Sequence, residues 1–120
     1  MKMTATYIKL QDAYVSESNK IGNWTLIGYV APGASSASDA SPSTTNFTYY
    51  GSGTFVSGVA DIADMADAWV AKNNAALNDC AADAGKWDIA IKANSNGNSV
   101  SYDASTNCAQ LTPSFTKIGK

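Results

Sequence analysis

Two cysteines, Cys80 and Cys108, constrain this chain more than any other feature, because they bracket a strand–turn–strand pattern in its last third. The enclosed stretch reads Trp87-Asp88-Ile89-Ala90-Ile91, an Asn96-Gly97 turn, and then Val100-Ser101-Tyr102. Bonded to each other, the cysteines staple the C-terminal segment to the body of the domain. Unbonded, they are two free thiols of a cytosolic protein. Their spacing is not Cys-x-x-Cys, so neither a thioredoxin-like pair nor a zinc site is supported. A structural disulfide is the favoured reading. On the chain-entropy model, closing a loop of this length stabilises a fold by about 3–4 kcal/mol, and the bond implies an oxidising compartment.

At 120 residues the chain has the length of one domain, spanning 1–120. Such a domain buries roughly two thirds of the surface its unfolded chain exposes. Charge is sparse: eight Lys face ten Asp plus Glu, with no Arg and no His. Without His there is no imidazole base, no Ser-His-Asp or Cys-His pair and no histidine metal ligand. Without Arg there is no guanidinium fork for phosphate or guanine. A net charge of −2 leaves no electrostatic footprint for nucleic acid. Met1-Lys2-Met3-Thr4-Ala5-Thr6 lacks the apolar run of a signal peptide or transmembrane helix, so a mature or trimmed form is expected.

Along the chain, Tyr7, Leu10, Tyr14 and Ile8, Val15 recur at helical spacing. This pattern predicts a helix from Thr6 to about Asn19, capped by Thr4 or Thr6 and stopped by Gly22. Trp24 to Val30 reads as a strand ended by Pro32-Gly33. Residues 34–45 are Ser, Ala, Thr, Asp and Pro, which predicts an exposed Ser/Ala/Thr-rich loop and a candidate site of glycosylation. Asn46 to Tyr50 reads as a second strand, and Gly51-Ser52-Gly53 as a turn into Thr54-Phe55-Val56. From Gly58 to Lys72 the helical recurrence of Ile62, Met65, Ala66 and Trp69 favours a helix, with a strand beginning at Trp69 as the alternative. Trp87–Lys92 and Val100–Tyr102 form a hairpin-like pair.

The candidate chemistry is thin. Asp79, Asp83 and Asp88, with Asn78, could offer oxygen ligands to calcium, but they lack the EF-hand pattern and read as solvated carboxylates. Asp61, Asp64 and Asp67 read as the wet face of the expected helix. A glycosidase needs one particular carboxylate pair, and nothing in the sequence singles one out. No catalytic residue, cofactor or metal is therefore assigned. The aromatics could build a sugar-stacking platform or fill a core. Trp24 and Trp87 are assigned to the core, while Tyr49, Tyr50 and Tyr102 stand as candidates for surface contact. Asn23-Trp24-Thr25 and Asn46-Phe47-Thr48 match the N-glycosylation pattern, which is short and frequent by chance.

Taken together, the helix around Ala5–Ser18, the run Gly22-Asn23-Trp24-Thr25-Leu26-Ile27-Gly28-Tyr29, and Pro32-Gly33 give the chain a recognisable order. Leu77-Asn78-Asp79-Cys80, Trp87, Cys108 and Leu111-Thr112-Pro113-Ser114-Phe115 complete it. In this order the chain resembles the globular domain of a bacterial type IV pilin over nearly its whole length. The resemblance implies a helix that is the outer half of a long N-terminal helix, a variable connection, and an antiparallel sheet. It also implies a surface-exposed C-terminal region bounded by Cys80 and Cys108. The apolar first half of the family's helix, which anchors the subunit in the membrane and forms the filament core, is missing. A truncated, soluble ectodomain is therefore expected.

The expected fold is α+β: an N-terminal helix on an antiparallel sheet of three to five strands, closed by the cysteine pair. The expected role is structural, as a cell-surface pilus subunit in adhesion, motility or attachment. Its partners would be other pilin subunits through the missing helix, and a polysaccharide or cell surface. A pseudopilin of a type II secretion system, a secreted carbohydrate-binding module and a small hydrolase are the alternatives. Under reducing conditions the melting temperature should fall clearly; two free thiols in native, air-exposed protein, counted by mass, would overturn the disulfide assignment.

Overall fold

The computed structural model describes residues 2–34, 36, 42–44, 46–76, 80–82, 84–95 and 97–108, and for residues 2–4 the backbone alone. Its elements are α1 (Lys2–Ser18), β1 (Ile21–Gly22), α2 (Trp24–Ile27), β2 (Phe47–Tyr50), β3 (Val59–Ala60), β4 (Met65–Asn73), β5 (Lys86–Ala93) and β6 (Val100–Thr106). The fold is α+β. A four-stranded antiparallel sheet runs β2-β4-β5-β6, and a two-stranded antiparallel sheet pairs β1 with β3. Much of the expected 34–45 loop and the Leu111–Phe115 tail lie outside the described residues.

Helix α1 starts a turn earlier than expected, so Thr4 and Thr6 lie inside it and do not cap it. Tyr7, Gln11 and Val15, spaced four apart, form its buried stripe. It ends before Gly22: Asn19 turns left-handed at φ 56° and donates its N–H to the Val15 carbonyl at 2.9 Å. Gly22 instead sits in β1, where Gln11 brackets it. The Gln11 Nε2 donates to the Gly22 carbonyl at 2.7 Å, and the Gly22 N–H donates to Gln11 Oε1 at 3.0 Å. The amide side chain thus pairs with β1 much as a neighbouring strand would. A side chain at Gly22 would stand 2.9 Å from Ile27 and 3.0 Å from Tyr14.

Two sequence expectations are corrected. Trp24–Val30 is not a strand: Trp24–Ile27 is a single helical turn. Asn23 caps it, its side chain accepting from the Leu26 N–H at 2.9 Å, and Gly28 closes it at φ 76°. Of that run, Trp24, Ile27 and Tyr29 pack in or against the core, while Thr25, Leu26 and Val30 are exposed. Likewise, Gly58–Lys72 is not a helix but β3 followed by β4. The cause of the false helical period is a bulge. Pairing of β4 with β5 shifts between Met65 and Trp69, and Asp67 sits there at φ 55°. Below the bulge, Trp69, Ala71 and Asn73 alternate inward as a strand requires. In the Thr54–Val56 stretch that follows the Gly51–Gly53 segment, Val56 forms an isolated bridge to Val59.

The hairpin of β5 and β6 agrees with the sequence reading and extends it at both ends. Trp87, Ile89 and Ile91 on β5 and Val100, Tyr102 and Ala104 on β6 face the core. Aromatic contacts then run continuously through the interior. Tyr7 meets Tyr29 edge-on at 5.5 Å, and Trp24 meets Tyr29 at 4.9 Å. The Trp69 indole donates to the Tyr29 hydroxyl at 2.9 Å. Trp69, Tyr49, Phe47 and Trp87 continue the series at 5.9, 6.2 and 5.4 Å. Replacing Gln11 with Leu strands the Gly22 N–H and carbonyl in a buried site. This should cost about 2–4 kcal/mol, measured as a lower urea midpoint at unchanged slope.

Candidate functional site

A disulfide and several side-chain hydrogen bonds converge on the corner where β4 leaves the sheet and β6 ends. Cys80 and Cys108 are bonded there, with their Cα atoms 6.2 Å apart. Cys80 lies in the core at 2 % exposure, while Cys108 is partly buried against it. Asn73, the last residue of β4 and fully buried, organises the corner. Its Nδ2 donates to the carbonyls of Ala75 at 3.0 Å, Cys80 at 3.3 Å and Ala81 at 2.7 Å. Its Oδ1 accepts from the Gly85 N–H at 2.8 Å. One amide therefore holds both ends of the β4–β5 connection. Asn107 does the same on the β6 side, accepting from the Lys86 N–H at 2.9 Å and donating to the Ala84 carbonyl at 2.8 Å.

Gly85 is required at this corner. A methyl group there would stand 2.8 Å from Cys80 Sγ, 2.9 Å from Asn73 Oδ1 and 2.9 Å from Trp87 Cζ3. Neither asparagine was singled out by sequence reasoning. The one available signal was the Asn73-Asn74 pair at the end of an apolar run, which marks a turn without saying which side chain is buried.

The outer face of the sheet carries the polar side chains. Strand register sets Tyr50, Val70, Asp88 and Ser105 in one row across four strands, with Thr48, Lys72 and Lys86 in the next. Lys86 bridges to Asp67 at 3.1 Å and reaches Asp88 at 4.0 Å. The hydrogen bond with Asp67 raises the Lys86 pKa. Burial raises that of Asp88; the neighbouring Asp67 and Asp103 charges push it further, against the hydrogen bond from Ser105 at 3.1 Å and the Lys86 charge. Although Val70 points to this face, it is completely buried.

The three tyrosines named as candidate surface contacts separate. Tyr49 at 2 % and Tyr102 at 6 % exposure belong to the core, and only Tyr50 is part-exposed. Burial pushes up the hydroxyls of Tyr7, Tyr49 and Tyr102, and that of Tyr29 to about 12, so these phenols stay neutral. Trp24 and Trp87 pack in or against the core as expected. With Trp69, Tyr29 and Tyr49 also inside, the aromatics among the described residues form no exposed row of rings.

The acidic residues disperse. Asn78, Asp79 and Asp83 lie outside the described residues, while Asp88 is committed to Lys86 and Ser105. Asp61 pairs with Lys20 at the surface, Asp64 accepts from the Ala93 N–H at 2.9 Å, and Asp67 bonds Lys86. The expectation of one wet helix face therefore fails along with the helix. Among the described residues, no group of three or more His, Cys, Asp or Glu is placed to hold a metal ion.

Asn73→Ala removes the hydrogen bonds of that amide to Ala75, Cys80, Ala81 and Gly85 while leaving the disulfide in place. Stability should fall by about 2–4 kcal/mol, and the Gly85 amide should lose its hydrogen-exchange protection. Compared with known proteins, the chain matches no family model, no curated protein and no solved structure.

Proposed function

We propose that this chain is the globular region of a type IV pilin-like subunit, a structural protein of a surface filament serving adhesion, motility or attachment. The observation that carries this reading is the order of parts. An N-terminal helix leads through an irregular connection into an antiparallel β2-β4-β5-β6 sheet, and a disulfide then ties the β4–β5 connection to Cys108, two residues past β6. A filament subunit must withstand an oxidising exterior and display a surface without unfolding. The covalent corner and the doubly tied Asn73 suit that demand.

In this reading α1 continues upstream into an apolar helix that anchors the subunit and joins it to other copies. The displayed surface includes the outer sheet face around Tyr50, Lys86 and Asp88. A pseudopilin of a secretion system has the same architecture and differs in where it assembles.

The test has two parts. The coding sequence upstream of Thr4 should specify a short basic leader followed by about twenty or more apolar residues, enough to span a bilayer as a helix. Antibodies against this chain should decorate thin fibres on intact cells. Absence of the apolar segment overturns the proposal. Label confined to the cell envelope, with the apolar segment present, replaces it with the pseudopilin assignment.

A further inference from the structure

The corner holds a second chemistry, independent of the filament reading. We propose that Trp87 and the Cys80–Cys108 bond form a photoreducible pair, in which light absorbed by the indole opens the disulfide. The geometry rests on Gly85. A single point above its Cα lies 2.8 Å from Cys80 Sγ and 2.9 Å from Trp87 Cζ3. Sulfur and indole carbon are thus separated by no more than the sum of those two distances. Trp87 is 0 % exposed and Cys80 2 %, so both are shielded from bulk water. Phe47 packs edge-on against Trp87 at 5.4 Å and holds the ring in place.

An excited indole is a strong one-electron reductant, and the antibonding orbital of an S–S bond is a good acceptor at a separation within the bound set by those two distances. The excited Trp87 passes one electron into that orbital. The disulfide radical anion takes up one proton and breaks into a thiol and a thiyl radical. The indole radical cation releases its N–H proton and becomes a neutral indolyl radical. One electron and one proton leave the indole, and one of each arrives at the sulfur pair, so no outside reductant is consumed. Opening the bond frees Cys108, two residues past β6, from the β4–β5 connection, while the Asn73 and Asn107 hydrogen bonds remain.

Irradiating the native protein at the red edge of indole absorption, where tyrosine is transparent, should release thiol that a chromogenic thiol reagent counts after unfolding. Trp87→Phe should release it severalfold more slowly, although Trp24 and Trp69 still absorb. Equal rates in the two proteins, or no thiol from the native protein, overturn the proposal. Because Trp87 is a core residue, a second measurement avoids replacing it. Tryptophan emission of the folded Cys80→Ala/Cys108→Ala protein should exceed that of the disulfide-bonded protein, since the quencher is gone. Unchanged emission overturns the proposal equally.

Discussion

Tyr29 joins the two layers of this molecule, and the rest of the structure is arranged to let it do so. Its ring receives the edges of Tyr7 from α1 and Trp24 from α2, while its hydroxyl accepts the indole N–H of Trp69 from β4. Each aromatic pair adds about 0.5–1.5 kcal/mol beyond the area it buries. The hydrogen bond gives the buried hydroxyl the partner that its desolvation demands. This explains why Trp24–Ile27 is a turn of helix. The turn, closed by Gly28, returns the chain so that Trp24 and Tyr29 lie against each other, whereas an extended segment would carry them apart. In β4, the bulge at Asp67 lets Trp69 keep its inward direction beneath an irregular upper end.

Buried amides complete what aromatic packing begins. Gln11 on α1 and Asn73 at the end of β4 each satisfy backbone groups on both the oxygen and the nitrogen of the side-chain amide. A half-satisfied amide in such a position would be worse than an apolar side chain. Among the described residues no buried side-chain nitrogen or oxygen lacks a partner.

The sequence made the parts with simple periodicity legible. The helix that includes Tyr7 and Val15, strand β2, and the hairpin around Ile89 and Tyr102 all follow patterns that burial alone enforces. It misled where local chemistry overrode composition. Asn23 and Gly28 turned a strand-like run into a helical turn, and the bulge gave β4 a helical spacing from Met65 to Trp69. The cysteine pair was readable, but the amides that brace it were not. Asn73 and Gln11 belong to residue types usually found at the surface, and only three-dimensional contact reveals that they are buried. The same limit applied to Tyr49 and Tyr102: an aromatic side chain in a strand looks alike on either face until the register is known.

The position of the disulfide has a consequence for how β5 and β6 align. Alternation of buried and exposed residues rejects a slip of one residue, since it would turn Tyr102 and Ala104 outward. A slip of two residues passes that test, because the same faces are kept. It would, however, carry the end of β6 about 7 Å along its partner, comparable to the whole 6.2 Å that separates the two cysteine Cα atoms. Because the bond closes around the outside of the hairpin, it can form readily only when the strands are in the native register. The covalent link thus acts as a check on alignment that hydrophobic patterning by itself cannot supply.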